Sequence, residues 1–132
     1  MDKELLKAIE SVRDNMPNVA KNAQGYNYKY TDLPHLWESI EKVVTDAGFS
    51  IVTNCDGEFV ATTAMHTSGS ISSKLPLSFA KDNTPQELGS AITYFRRYNL
   101  LMLFNVMVED DDAAKSQKAQ SKAVANGDIP FA

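Results

Sequence analysis

Apolar residues recur along this chain with two different periods, and the places where one period gives way to the other mark out its elements. Leu5, Leu6, Ile9 and Val12 share one helical face, which predicts a helix from Lys3 to about Asn15 with Pro17 just past its end. Leu33, Leu36, Trp37, Ile40, Val43 and Val44 repeat the pattern, so a second helix should start at a Thr31 or Asp32 cap, run to about Ala47 and close at Gly48.

The period then drops to two. Phe49 to Cys55, Glu58 to His66 and Ile71 to Phe79 read as three strands of an antiparallel meander. Asp56 and Gly57 give a strong hairpin turn, Ser68 and Gly69 a weaker one, and Pro76 suits an edge strand because it cannot donate a ladder bond. Phe49, Ile51, Phe59, Ala61, Met65, Ile71, Leu75, Leu77 and Phe79 are expected to face the helices. The other face should show Ser50, Asn54, Thr62, His66, Ser72 and Lys74.

The helical period returns at Pro85. Thr84 as cap, Pro85 at the first helical position and Glu87 three residues after the cap form a complete start signal. Leu88, Ala91, Ile92, Phe95, Tyr98 and Met102 fall on one stripe, which leaves Arg97 pointing away from the core and Arg96 at the stripe's edge. From Leu100 to Phe104 apolar residues occupy every side, as if a second subunit supplied one of the neighbours. The fold class is α+β: N-terminal helices, a three-stranded antiparallel meander and a long C-terminal helix.

Composition narrows the class. A chain of 132 residues, 43% hydrophobic, supports one domain. No apolar run is long enough to cross a membrane, and MDKELLKAIESV lacks the basic-then-apolar order of a signal peptide, so a soluble protein of the cytoplasm is expected. The lone cysteine, Cys55, excludes an internal disulfide or a cysteine zinc cluster and reads as a buried, unreactive thiol; His35 and His66 lack ligand-spaced partners, and no metal or cofactor is expected.

The net charge of -4 argues against a grip on nucleic acid through bulk charge. The body before Glu109 is acidic even without the tail, so a nucleic-acid site would have to be a local patch or a groove shared between subunits. The candidate surface lies between Asn18 and Asp32, where Tyr26, Tyr28 and Tyr30 alternate with Asn27 and Lys29. In an extended segment three alternating tyrosines face one way and can stack on unpaired bases of any identity, while lysine neutralises phosphate. Tyr30, next to the second helix, reads as a core plug; Tyr26, Tyr28, Lys21 and Lys29 are the better contact candidates, with Lys74 on the sheet. Taken alone, Arg96 and Arg97 fit a solvated face, or an ion pair with Glu87 or Asp110, better than a phosphate contact.

GSAITYFRRYNL followed by EDDDA resembles the signature of the ERF family, the essential-recombination-function proteins of bacteriophages and prophages. The resemblance continues through YKYTDLPHLWESI, the Gly48 to Met65 hairpin region and SGSISSKLPL, and covers about residues 3 to 113 in order. It implies a single-strand annealing protein of the bacterial host's cytoplasm, without enzymatic activity, that binds single-stranded DNA, assembles into a homo-oligomeric ring and pairs complementary strands without nucleotide hydrolysis. Under it Arg96 and Arg97 become DNA-binding candidates. The strand-strand-strand-helix order is similar to the core of the eukaryotic annealing recombinases. A passive strand-coating protein is the alternative, and after it a metal-dependent nuclease using Glu109, Asp110, Asp111 and Asp112, a run that reads better as a solvated acidic linker.

Residues 1–113 are thus expected to form the annealing domain and 114–132 a disordered tail, since Ala, Ser, Gln and Lys offer little to bury. The tail closes on Asp128, Ile129, Pro130 and Phe131, similar to the acidic Ile-Pro-Phe tip by which bacterial single-stranded-DNA-binding proteins dock into partners. Ala132 departs from that pattern by moving the terminal carboxylate off the phenylalanine. Host or phage recombination proteins are the partners this tip would recruit.

Overall fold

The computed structural model describes residues 1–79 and 84–109. Three helices, α1 (Lys3–Asn15), α2 (Leu33–Asp46) and α3 (Pro85–Leu103), surround one face of an antiparallel sheet, β3 (Ser50–Cys55), β4 (Phe59–His66) and β5 (Gly69–Pro76), in the order β3-β4-β5. A small hairpin, β1 (Ala23–Gln24) and β2 (Lys29–Tyr30), occupies what the sequence presented as a connection between α1 and α2. The α+β class and the three-strand-then-helix order are as expected. The tail from Ala114, the boundary after Ala113 and the tip at Asp128 to Phe131 lie outside the described residues.

Local chemistry fixes the helix ends. Asp2, Asp32 and Thr84 cap α1, α2 and α3 by accepting backbone N–H bonds, and prolines sit in the first turns of α2 and α3. The last two helices end in the same way. After α2, Gly48 takes φ 93° and the Phe49 amide donates back to Val44; after α3, Asn105 takes φ 50° and the Val106 amide donates to Leu101. Both are left-handed terminators that satisfy otherwise orphaned carbonyls, and each turns an apolar residue, Phe49 or Val106, into the core.

That core joins Leu5, Ala8 and Val12 of α1, Leu36, Ile40 and Val44 of α2, Ala64 of β4 and Leu100 of α3. Phe49 and Phe104 meet edge to face, ring centres 5.9 Å apart, where the two terminators converge. Beyond Asn105 the chain pairs in parallel with the segment after α1: the Val19 amide donates to Met107, and the Glu109 amide to Val19.

The sheet corrects the expected facing of β4. Val60, Thr62 and Ala64 point to the helices and are fully buried, whereas Met65 is half exposed and Phe59 carries the Lys74 ammonium 4.4 Å above its ring on the outer face. His66 and Thr62, expected outside, thus belong to the inner face, and His66 lies against Phe49. FVATTAMH has apolar residues on both parities, so alternation alone does not choose; the smaller set faces inward because α3 approaches closely enough for Asn99 to reach the Val60 carbonyl. Ile51, Ile71 and Leu75 face inward as predicted.

Three further expectations are overturned. Leu6 and Leu88 are substantially exposed, because α1 buries Ala8 instead of Leu6 and the first turns of α3 extend beyond their cover, and Met102 in the last turn of α3 is half exposed as well. Arg97 does not point away from the core but is 95% buried, with Tyr98, Asn99 and Leu100 beside it. Cys55 is exposed, since β3 ends at the Asp56 hairpin.

Candidate nucleic-acid interface

The hairpin is built on a rigid neck. Asn22 Nδ2 donates to Asp32 Oδ2 at 3.0 Å while the Asp32 amide donates to Asn22 Oδ1 at 2.9 Å, and the other Asp32 oxygen caps α2 through the His35 amide. Its tip turns between Gly25 and Tyr28, closed by a 2.7 Å bond from the Gly25 amide to the Tyr28 carbonyl, with Asn27 at φ 65°. Asparagine tolerates this left-handed conformation better than most residues. The Tyr28 ring lies flat enough on Gly25 that a Cβ there would come within 2.9 Å of it.

This turn breaks the expected row of three tyrosines into a pair and a single. Tyr28, at the end of the turn, and Tyr30, on β2, are neighbours, ring centres 5.8 Å apart and both half-buried, while Tyr26 stands within the turn, 84% exposed. Tyr30 also carries out the plugging role expected of it, against an arginine rather than an aliphatic core.

Arg97 is that arginine. Its guanidinium carbon lies 4.6 Å from the centre of the Tyr30 ring, 4.8 Å from Tyr98 and 5.3 Å from Tyr94, so three rings from two elements enclose one cation. Nη1 donates to the Thr31 carbonyl at 3.3 Å and Nη2 to the Tyr98 hydroxyl at 2.9 Å; the buried Nε has no acceptor among the described residues. Nor does any Asp or Glu among them pair with this guanidinium; the ion pairs they form are Lys7 with Glu4 and Lys42 with Asp46. Among the described residues the charge is therefore held by neutral groups.

Burial, and after it the hydrogen bond with Tyr94, raises the Tyr98 phenol far above the ordinary tyrosine value, so this hydroxyl stays neutral and available as acceptor to Arg97. Tyr94 packs edge-on against Tyr98 at 4.5 Å and against Phe95 at 5.9 Å, and remains 38% exposed. Arg96, the next residue, is exposed, as are Lys29 on the hairpin and, in part, Lys21 before it. Arg97 thus draws together the hairpin and α3, which the sequence offered as separate candidates. Sequence reasoning missed Tyr94 and Tyr98 as members; their signal was the spacing of Tyr94 and Tyr98 around Arg97 within TYFRRY.

Lys74 stands apart. Ser73 faces α3 and donates to Asn99, so Lys74, its neighbour on the strand, faces the other side of the sheet. Among the described residues no group of three or more His, Cys, Asp or Glu could hold a metal ion; Asp110, Asp111 and Asp112 lie outside them. No helix among the described residues is long and apolar enough to cross a membrane.

The hairpin and α3 thus gather three tyrosine rings around one buried guanidinium on an α+β domain of a chain whose net charge is -4. The model of the ERF superfamily matches residues 5–127, nearly the whole chain. The chain belongs to the ERF superfamily, and with it to the proteins of single-strand annealing and recombination. Comparison with curated proteins and with solved structures gave no match.

Proposed function

We propose that the protein binds single-stranded DNA across the hairpin and α3 and, as a homo-oligomer, anneals complementary strands during phage recombination without nucleotide hydrolysis. The observation that carries this reading is the Arg97 cluster, a cation enclosed by tyrosines and without an acidic partner among the described residues, in a chain of net charge -4. Arg96, Arg97, Lys21 and Lys29 supply charge, and Tyr26 and Tyr28 supply faces for unpaired bases. Oligomerisation multiplies a patch too small to hold a strand alone, and the exposed first turns of α3, with Leu88, together with Met102 give the subunits apolar surface to share. Lys74, on the opposite sheet face, would touch DNA only if the strand or a neighbouring subunit wraps that side. Asp128, Ile129, Pro130 and Phe131 would recruit recombination partners in the bacterial cytoplasm.

Labelled complementary strands incubated with the protein, with and without magnesium, test the reading. Duplex formation in both conditions is expected. Protection without pairing would make this a strand-coating protein, and magnesium-dependent cleavage would restore the nuclease alternative at Glu109 to Asp112.

A further inference from the structure

Arg97 and Tyr94 divide the work of the site in a way that neither the charge pattern nor the family shows. Arg97 is 95% buried, so a phosphate cannot reach its guanidinium without displacing the rings that cover it. Tyr94 is one of those rings and also a surface residue, fixed on a helix by edge contacts with Phe95 and Tyr98. Against the same guanidinium lies Tyr30, which neighbours Tyr28, whose ring rests on Gly25. Tyr28, Tyr30, Arg97 and Tyr94 therefore form an unbroken series of neighbours running from the hairpin to the helix.

We infer that Tyr94 is a base-stacking residue, paired with Tyr28 across the site, and that Arg97 is the positioning residue that holds both rings at fixed orientation instead of contacting phosphate. This rests on the single-strand-binding reading above and names the atoms that carry it. A ring already immobilised loses little rotamer freedom when a base stacks on it, so more of the stacking energy appears as affinity. The cation beneath adds to this by drawing the anionic strand toward the rings, and the low dielectric around it limits screening by salt. Two faces on separate elements take bases of any identity, as annealing of arbitrary sequences requires.

The test compares an oligothymidylate with an abasic oligomer of equal length, which keeps the phosphates and removes the bases, by fluorescence anisotropy across a salt series. Tyr94→Leu should weaken oligothymidylate binding about tenfold, leave abasic binding and the salt slope unchanged, and be largely rescued by Tyr94→Phe, which restores a ring. Arg97→Lys, which keeps the charge but not the planar contact with three rings, should show the same selective loss. Unchanged oligothymidylate affinity in Tyr94→Leu, or equal loss on both oligomers, overturns the stacking role. A salt slope lowered by about one in Arg97→Lys, without selective loss, overturns the positioning role by making Arg97 a phosphate contact. If Arg97→Lys does not fold, the Tyr94 variants decide the stacking role and circular dichroism of Arg97→Lys shows the arginine to be structural, which overturns its special role in the site. Wild-type protein that binds neither oligomer overturns the functional reading itself, whereas wild-type binding with an indifferent Tyr94→Leu overturns this inference alone.

Discussion

Asn99 on α3 accepts a hydrogen bond from the Ser73 hydroxyl at 3.1 Å and donates through Nδ2 to the Val60 carbonyl at 3.0 Å, so one buried amide fastens the helix to two strands at once. The bond to Val60 is buried and the one from Ser73 partly so, and removing the amide would leave a buried carbonyl and a half-buried hydroxyl without this partner. Asn99→Ala should cost about 1–3 kcal/mol, read as a lower denaturation midpoint with unchanged slope. Ser73→Ala, which removes only the donor, should cost less.

The two adjacent arginines should separate cleanly. Arg97→Ala empties a buried box and frees the Thr31 carbonyl and Tyr98 hydroxyl, so it should lower stability by about 2–3 kcal/mol. Arg96→Ala, at an exposed position, should leave the melting temperature within experimental scatter and lower the salt slope of oligonucleotide binding by about one. A stable Arg97→Ala protein would show that the box is not part of the fold's support.

Gly25 is a structural gate on Tyr28. An added Cβ would lie 2.9 Å from the far end of the tyrosine ring, which can swing away at little cost to the backbone. Gly25→Ala should therefore change the thermal midpoint little but displace the ring, weakening oligothymidylate binding several-fold, on the order of 1 kcal/mol. An unchanged affinity would remove Tyr28 from the binding surface.

Cys55 offers a simple check of the meander. The thiol is exposed at the end of β3, so native protein should react with one equivalent of an aromatic disulfide reagent at a rate close to that of the unfolded chain. Cys55→Ser should leave stability and DNA binding unchanged, and protection in the native state would mean that an oligomer interface covers this hairpin.

The pH dependence should be asymmetric. Because burial raises the Tyr98 phenol above its unfolded value of about 10, its contribution to stability is complete below that pH and is lost as pH rises further. Ultraviolet titration should show that at least one of the five tyrosines resists ionisation until the protein unfolds. Tyr98→Phe should remove this alkaline sensitivity and also leave Arg97 Nη2 without its acceptor, so it should be less stable at neutral pH.

Most of the frame was legible in the sequence because local rules determine it: caps at Asp32 and Thr84, a stop at Gly48, a turn at Asp56 and Gly57, and two clear hydrophobic periods. What escaped was set by contacts between distant residues. Arg97 and Asn99 look like solvent-facing polar positions, yet their partners are Thr31, Tyr30, Val60 and Ser73, brought to α3 only by the completed fold. The facing of β4 was ambiguous for a related reason, since apolar residues fall on both sides of that strand and the close approach of α3 selects the smaller ones. The small hairpin was hidden by its brevity: two residues in each strand give no period to read. The three tyrosines were found, but the turn that separates Tyr26 from the other two depends on the backbone of Gly25 and Asn27.

The pairing of Val19 with Val108 also bears on the order in which the molecule comes together. Its two hydrogen bonds join segments near opposite ends of the described chain, and both neighbouring apolar residues, Val19 and Val106, are buried. Such a closure has a high entropic cost until α1, the sheet and α3 have already assembled, so it belongs late on the folding route. Weakening it should accelerate unfolding more than it slows folding, which makes this clasp a kinetic lock on the domain.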